Sequence, residues 1–410
     1  MQTSTTSVRD ATTSSDGSMP LVIYLFALTA FALGLAEFVP IGLSDVIARD
    51  LHVRVEAIGA VVTAYALGAT FSAPVLSAVT AGWSRRAVML MTAGIFCIGS
   101  LGAVLANDLT QIVVARFVAG IGHGLFLAVA SSVAAKLVGQ NRAGSAVAVV
   151  FGGFTVALAI GVPISTWLGG VFSWRPLFLA TTGFGLIGLV GLMFGMKRDR
   201  EKDDSAHSGA AMRSLKAILH PRLLSGSLIT VLAYAGSFCA YTYIVPILIQ
   251  ITRVGVGTVS AFMLIYGVLA AIGNIAGGKM ADRLGANIAS LIVVAGIAIV
   301  VLAMFFLSHS VFGLALLIAA LGLLSYAAVP ALQARLLGIA EQHVPHAHGV
   351  AAGLNIAGFN SGIALGSVIG GVTVSQVGLA WTGLTAAIAA GAGLSLLVLQ
   401  LRRSAASAGR

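Results

Sequence analysis

The sequence predicts an all-α membrane protein, with twelve transmembrane helices arranged as two pseudo-symmetric six-helix bundles. The first observation behind this fold class is composition: hydrophobic residues make up 58% of the 410 positions and charged residues only 9%. A soluble globular domain is about one-quarter charged. The second is a series of long, uninterrupted apolar runs, which do not alternate as the strands of a membrane barrel do. The third is a repeat that relates the two halves of the chain.

Each apolar run is long enough to cross a bilayer as a helix, which takes roughly 20 residues. In the first half, the predicted spans cover about 21–44, 57–80, 87–106, 110–138, 144–171 and 176–196. In the second half, they cover about 222–252, 256–280, 288–308, 312–340, 346–375 and 380–401.

One long charged segment, "KRDREKDDSAHSGAAMRSLKAILH", divides the spans into six plus six. The N-terminal residues are rich in Ser and Thr and lack the basic-then-apolar order of a cleaved signal peptide, so they predict a disordered tail. The expected organisation is a cytoplasmic tail at 1–19, a bundle at 20–196, a cytoplasmic linker at 197–220, a bundle at 221–402 and a cytoplasmic tail at 403–410.

The net charge of +10 is explained by topology. With the N-terminus in the cytoplasm, 18 Lys and Arg residues fall on the cytoplasmic side and 4 on the other, and Arg116 is left inside a span. Cytoplasmic loops of membrane proteins carry such an excess. We therefore expect a multi-pass protein of the plasma (inner) membrane, surrounded by lipid, with both termini cytoplasmic and without a nucleic-acid partner.

The repeat has a constant offset of 201 residues. "GVPISTWLGGV", from Gly161, aligns with "GIALGSVIGGV", from Gly362. The same offset places "SAVTAGWS", from Ser77, on "GKMADRLG", from Gly278. Two matches at one offset indicate duplication. Parallel six-helix halves are a transporter architecture, with the binding site between them near the bilayer midplane.

Several of these stretches resemble motifs of the major facilitator superfamily. "GKMADRLG" resembles its G-x-x-x-D-R-x-G loop motif, and "RFVAGIGHG" resembles the R-x-x-x-G-x-G-x-G motif of its fourth span. "GVPISTWLGG" is similar to a variant of the glycine-proline motif in the fifth span of its antiporters. "LAEFVPIGLSDVIARDL", "VPALQARLL" and "LNIAGFNSGIALGSVIGG" are similar to the twelve-span drug:proton antiporter group, above all to its sugar-efflux and purine-nucleoside-efflux members.

The resemblance implies a secondary active transporter that exports a small organic solute (a sugar, nucleoside or drug-like compound) in exchange for protons, by alternating access. It implies no cofactor, and we expect a monomer. The first-half loop departs from the motif, because Ala81 stands where the family has an aspartate that helps to lock the cytoplasmic gate. Arg85 and Arg86 are retained there. We therefore expect Asp282 and Arg283 of the second-half loop to supply the gating contact.

Three ionisable residues lie inside the predicted spans away from their ends: Glu37, Arg116 and His123. Each costs a few kcal/mol in hydrocarbon, so each is expected to face a cavity or a partner. Glu37, three residues before Pro40, is the expected proton-coupling site, with His123 as backup or relay. The alternative for Glu37 is a permanent ion pair with an arginine such as Arg116. Arg116 is expected to be structural or coupling, and His123 has the alternative of a neutral interhelical hydrogen bond.

Polar and aromatic side chains within the spans are further candidates, because they hydrogen-bond or stack on heterocyclic and hydroxyl-bearing ligands. Each has the alternative of an interhelical hydrogen bond. The substrate-binding candidates are Tyr65, Tyr234, Tyr241, Tyr326, Gln333, Asn355 and Asn360, with Tyr243 also noted in the seventh span. Trp83, Trp174 and Trp381 lie at span ends and are expected to anchor the membrane interface.

Other function classes find little support. Within transport, an uptake symporter or facilitator stays open, as does a membrane sensor that does not transport. No HExxH, GxSxG or paired catalytic carboxylate occurs within a span, so we expect no enzyme. A GxxxxGK[ST] loop is missing too, which argues against an ATP-driven pump. Cys97 and Cys239 lie in apolar runs, and no Cys/His cluster predicts a metal site.

Overall fold

The computed structural model describes residues 19–80, 83–138, 143–196, 219–344 and 348–408. Within these ranges, twelve helices are long and apolar enough to cross a membrane, which confirms the predicted fold class. The predictions for the N-terminal tail and for nearly all of the linker (through residue 218) lie outside the described residues. The same is true of Ala81 and of the last two residues of the chain.

The first half contains six spans, and two of them are interrupted next to a proline. Proline removes one i→i−4 hydrogen bond, which permits a break or a wider turn nearby. Span 1 contains Pro40 and is followed by a separate short helix, and span 5 has a π-helical turn before Pro163. The spans are Leu21–Gly42 (then Ser44–Asp50), Ile58–Val79, Arg85–Val104, Leu109–Val138, Ala143–Val156 continued through Ala157–Gly161 to Val162–Gly169, and Trp174–Gly195.

The second half repeats this arrangement. Its spans are Pro221–Tyr241 (then Ile244–Pro246 and the π-helical turn Ile247–Ile251), Val256–Leu284, Ala286–Leu307, Val311–His343, His348–Gln376, and Thr382–Ala408 after a short turn at Leu379–Trp381. Backbone conformation follows the repeat as well. His52 and Arg253, which are 201 residues apart, are the non-glycine residues with positive φ in the described chain, at 53° and 60°. Gly285, which closes the second-half loop motif, has a φ of 82°, where glycine is favoured.

The glycines of "RFVAGIGHG" let span 4 pack closely between two neighbours. A methyl group on Gly120 or Gly124 would overlap backbone of span 2, and one on Gly122 would overlap backbone of span 3. Small residues at such crossings allow helices to approach to backbone contact within a bilayer. The motif therefore fixes the position of span 4, together with the two ionisable side chains that it carries.

The two halves meet along two symmetry-related pairs of spans, spans 2 and 11 and spans 5 and 8. Because the spans alternate in direction, Met196 and Leu219 lie at one face of the bundle, which we call the terminal face. Asp50 and Thr252 lie at the opposite, distal face. The hydrogen bonds between the halves that the structure describes are all in the distal part: Thr63 Oγ1 to Ala364 O (3.3 Å), Ser260 Oγ to Pro163 O (2.6 Å), Gln250 Nε2 to Asp45 Oδ1 (3.2 Å) and Tyr243 Oη to Glu56 O (2.9 Å).

Two side chains differ from expectation. Trp174 does not anchor the membrane interface, because its ring is fully buried and its Nε1 donates to Asp50 Oδ2 at 2.9 Å. Arg335, which the charge count placed at the cytoplasmic surface, is only 7% exposed inside span 10. That helix continues to His343, so Arg335 lies two turns from its end, where its Nη2 donates to Gln400 Oε1 of span 12 at 2.6 Å.

Candidate functional site

Glu37 and His123 form a buried pair between spans 1 and 4. Glu37 Oε2 lies 3.5 Å from His123 Nδ1, and both residues are at most 4% exposed. Neither of these two atoms has a hydrogen-bond partner within the described part of the chain. Buried polar atoms of this kind are rare and call for an explanation. The pair therefore has unused capacity to hold a proton or a polar ligand group.

Arg116 binds backbone beside Glu37, and does not form the alternative ion pair with its carboxylate. Arg116 Nη1 donates to Ala36 O at 2.5 Å, and Nε donates to Val61 O at 3.4 Å. Pro40 stands four residues after Ala36 and has no N–H, so the Ala36 carbonyl lacks its usual helical partner. Arg116 supplies the missing donor. The guanidinium carbon also lies 4.1 Å from the centre of the Tyr65 ring, which is a cation–π contact.

A continuous series of rings, the ring row, runs from this cluster across to the second half. Tyr65 lies 5.4 Å from His123, which lies 5.8 Å from Phe154, with distances measured between ring centroids. Phe154 and Phe38 are 5.6 Å apart, and Phe38 is 6.3 Å from Phe238 of span 7. The ring row ends in Tyr241 and Tyr266: Phe238 to Tyr241 is 5.6 Å, and Tyr241 to Tyr266 is 4.0 Å with nearly parallel planes.

Two phenols at the end of the ring row are buried, with Tyr241 and Tyr266 1% and 0% exposed. The Tyr241 hydroxyl has no hydrogen-bond partner among the described residues, and the Tyr266 hydroxyl faces the Ser325 side chain without a hydrogen bond of standard geometry. Tyr326 packs edge-on to Tyr266, at 6.4 Å. Tyr234, by contrast, donates its hydroxyl to Ser325 O at 2.7 Å, while its ring packs on Phe359 at 4.5 Å. Tyr241 thus offers a free donor, Tyr266 offers a donor beside the Ser325 hydroxyl, and Tyr234 offers mainly a ring face.

The amide candidates form an interhelical network inside the second half. Asn355 is fully buried, donates to Gln333 Oε1 at 2.7 Å and accepts from Thr230 Oγ1 at 2.9 Å. Asn360 donates to Ile356 O of its own helix, while its Oδ1 has no described partner. This geometry favours the interhelical alternative for Asn355 and Gln333. Asn360 keeps one unused acceptor.

The expected gating residues all lie at the terminal face. Asp282 and Arg283 are exposed at the end of span 8. Arg86 Nη2 donates to Met193 O at 2.5 Å, which ties the start of span 3 to the end of span 6. Arg85 begins the same helix, and the Ser84 side chain caps it. The structure therefore places these four residues at the same face of the bundle, two in each half.

At the distal face, Tyr243 makes a contact that we call the distal latch. Its hydroxyl donates to Glu56 O of the first half and lies 3.2 Å from Ser367 O of its own half. A methyl group on Gly59 would overlap this hydroxyl, so the phenol occupies a socket that only glycine leaves open. Tyr243 is a candidate residue in the sequence, but its partner across the interface is a backbone carbonyl, and such a contact leaves no sequence pattern.

Sequence reasoning also missed Tyr266, Phe38, Phe154 and Phe238. Tyr266 carried a usable signal, since it lies 201 residues after Tyr65. The phenylalanines carried none, because an apolar ring in a span is indistinguishable from lipid-facing residues. Among the described residues, no group of three or more His, Cys, Asp or Glu side chains could hold a metal ion.

Comparison with known proteins gives the same overall assignment. The Escherichia coli (strain K12) "Inner membrane transport protein YdhP" is 35% identical over 92% of this chain and 95% of its own. A "Chloramphenicol resistance protein" of Streptomyces lividans is 32% identical over 66% of this chain and 69% of its own. The crystal structure of a point mutant of the nucleoside transporter NupG shares the fold, with a TM-score of 0.75 at 16% identity, covering 94% of this chain and 99% of that one.

The family profile of the Major Facilitator Superfamily matches residues 26–338, from span 1 into span 10. The match covers more than half of the chain, and the twelve candidate spans agree with it. The chain therefore belongs to the Major Facilitator Superfamily, and it is a multi-pass inner-membrane transporter of a small molecule, not an enzyme.

Proposed function

We propose that this transporter exports a small, ring-containing organic solute in exchange for protons. The observation that carries the proposal is the Glu37–His123 pair, buried at 3.5 Å with an unused polar atom on each side. Ionisable residues inside spans mark ion or proton paths. The pair adjoins the ring row, so a proton and a solute would meet in one place.

The geometry of the pair supports a proton step at Glu37. An ionised Glu37 favours bound solute, whereas protonation cancels the carboxylate charge and favours release. Arg116 stays bound to the Ala36 and Val61 carbonyls and leaves Glu37 free to change its proton occupancy. Solute and proton then bind in competition, and each lowers the affinity for the other by the same factor. Such competition couples an inward proton flow to outward solute transport.

For the solute, ring-containing and drug-like compounds are favoured over simple sugars. Aromatic side chains bind planar ligands by offset or edge-to-face packing. Tyr241 and Tyr266 add two hydroxyl donors for ligand carbonyl or ring-nitrogen groups. The named activity of the Streptomyces relative, chloramphenicol resistance, is consistent with this class. Nucleosides satisfy the same geometry, whereas sugars use only the hydroxyl groups.

For orientation, we propose that the terminal face and both chain ends are cytoplasmic, on the basis of the 18 to 4 distribution of basic residues. The distal latch then closes the side away from the cytoplasm. Asp282 and Arg283, with Arg85 and Arg86, act in the opposite closure at the terminal face. Alternating access exchanges these two closures around the Glu37–His123 pair, and the protein works as a monomer.

The test is solute flux in liposomes with and without an imposed pH gradient. Chloramphenicol, a nucleoside and a sugar are compared side by side, in vesicles with the terminal face outward. We expect accumulation of the ring-containing solutes when the interior is acidic, and loss of accumulation with an uncoupler. Solute flux that is independent of the pH gradient would identify a facilitator. Accumulation driven by an acidic exterior would identify a symporter, and no flux of any solute would leave the sensor alternative.

A further inference from the structure

A small cavity borders Arg116, and none of the residues that line it belongs to the ring row. Its volume is about 10 Å³, and it is lined by spans 1, 3, 4 and 6. The polar residues in its wall are Arg116, Ser100 and Thr181, and the remaining lining side chains are apolar. All three polar residues are at least nine-tenths buried.

Two polar atoms in this wall have no protein partner among the described residues. Arg116 uses Nη1 and Nε on the Ala36 and Val61 carbonyls, but Nη2 makes no hydrogen bond with a described residue. Ser100 Oγ also has no described partner. Thr181 Oγ1 donates to Leu177 O at 3.0 Å and so retains a lone pair that can accept. A cavity therefore coincides with a free donor, a free hydroxyl and a free acceptor.

We propose that this cavity holds one buried water molecule, which accepts from Arg116 Nη2 and is bound by Ser100 Oγ and Thr181 Oγ1. A buried water needs roughly 10–15 Å³ of accessible volume and two to four polar partners. The cavity meets the lower bound of that volume and offers three partners. The water gives Arg116 Nη2 the acceptor that it lacks. It also holds the guanidinium in the orientation that stacks on Tyr65.

The size of the cavity favours water over the other ligand that such donors attract, a halide ion. An anion would be drawn to the guanidinium, but the space matches a single water molecule. A halide also has no hydrogen to donate to the Thr181 Oγ1 lone pair, whereas water does. The water site lies outside the ring row and does not depend on which solute is transported.

The first test is a structure of the full-length protein in a lipid nanodisc, at a resolution of about 2 Å where ordered waters are visible. We expect one density peak within hydrogen-bond distance of both Arg116 Nη2 and Ser100 Oγ. A cavity without density would overturn the proposal, and so would an anomalous peak at this position after bromide replaces chloride.

The second test is the direction of the change in melting temperature for Ser100→Val. The added methyl group fills the cavity and displaces a water, leaving Arg116 Nη2 unpartnered, so a water site predicts a lower Tm. A dry cavity predicts an unchanged or higher Tm, because filling a void stabilises a protein. Leu101→Val is the matched control: it adds a β-branched residue at the neighbouring, 43% exposed position of the same helix. A fall for Ser100→Val no greater than for Leu101→Val would overturn the proposal.

Discussion

The two halves of the molecule share a backbone plan but differ in chemistry at equivalent positions. Adding 201 to the residues of the first-half cluster gives Phe238 for Glu37, Tyr266 for Tyr65, Leu317 for Arg116 and Leu324 for His123. The tyrosine is kept, while every ionisable residue of the cluster is replaced by an apolar one. The first half therefore holds the ionisable residues of this cluster, and the second half has only apolar and aromatic residues at the equivalent positions.

The interface between the halves is more symmetric than the site it encloses. Ser260 of span 8 donates to Pro163 O, and Thr63 of span 2 donates to Ala364 O. The two acceptor residues are themselves 201 positions apart. The duplication has thus preserved a hydrogen bond to equivalent backbone carbonyls at the interface, whereas the residues of the Glu37–His123 cluster have diverged between the halves.

Among the variants that compare the two halves, the largest effect is expected for Arg116→Leu, which gives the first half the residue found at Leu317. It removes two charge-assisted hydrogen bonds, each contributing about 1.5 kcal/mol, so we expect transport to fall about 100-fold and the Tm to fall. The measurement is uptake into liposomes together with thermal unfolding.

The double variant Arg116→Leu, Pro40→Ala separates the two roles of Arg116. Alanine at position 40 restores the helical donor to Ala36 O, so we expect the Tm to recover while transport stays low. Recovery of transport with the Tm would show that Arg116 acts only as a structural donor. Leu317→Met, the control in the second half, is expected to change neither quantity appreciably.

The next effect is expected at the distal latch, for Gly59→Ala. The residue 201 positions later is Ser260, so the second half tolerates a side chain where the first half holds the Tyr243 hydroxyl. Overpacking costs about 1–3 kcal/mol and shifts the equilibrium away from the closed distal face. Spin labels at Arg54 and Val377 would report longer distances. Gly94→Ala, where the added methyl has open space, is the control. Equal spin-label distances in Gly59→Ala and Gly94→Ala would show that the distal latch does not stabilise the closed distal face.

A smaller effect is expected for His123→Ala. If His123 relays protons to Glu37, the rate falls about 10-fold and its pH optimum moves, while solute exchange without a gradient continues. Leu324→Ala, at the equivalent position of the second half, should leave the pH optimum in place. A pH profile identical to that of the unmodified protein would assign His123 a purely interhelical role.

The smallest effect concerns pH and the distal face. Burial raises the pKa of the Asp45 carboxyl above its ordinary value, more than the hydrogen bond from Gln250 and the charge of Arg49 lower it. Opening this face would expose Asp45 and return its pKa towards about 3.9. Protonation of Asp45 therefore favours the closed distal face. The closed state gains stability as pH falls through the raised pKa of Asp45, and it loses that stability as pH rises above this value. In Asp45→Asn, the distance between spin labels at Arg54 and Val377 should no longer change with pH in this way. A pH dependence equal to that of the unmodified protein would contradict the role of Asp45.

The twelve spans could be predicted because each is an apolar run long enough to cross a bilayer as a helix. The 201-residue repeat further showed that the runs form two sets of six. The contact between Glu37 and His123 could not, because spans 1 and 4 are apolar on most faces and their rotation about their own axes leaves no periodic signal. For the same reason the alternative pairing of Glu37 with Arg116 was plausible. Pro40 leaves the Ala36 carbonyl without its helical N–H donor, and Arg116 donates to that carbonyl. A backbone acceptor of this kind cannot be recognised from the side chains in a sequence.

Trp174 and Arg335 illustrate a second limit. Both lie near span ends, where an aromatic or basic residue ordinarily faces the membrane interface. Their burial depends on partners distant in the chain, Asp50 and Gln400, and on helices that extend further than hydropathy indicates. Hydropathy locates the membrane segment but not the ends of a helix that continues beyond it.

Coupling through Glu37 is tested most directly by Glu37→Gln, measured in two assays on the same vesicles. Glutamine keeps the size of the side chain and fixes it in an uncharged form. We expect accumulation driven by a pH gradient to be abolished, while exchange of labelled for unlabelled solute at equal pH continues at a rate within a few fold of the unmodified protein. Full gradient-driven accumulation in Glu37→Gln would contradict the central claim that the charged half couples transport to protons through this carboxylate.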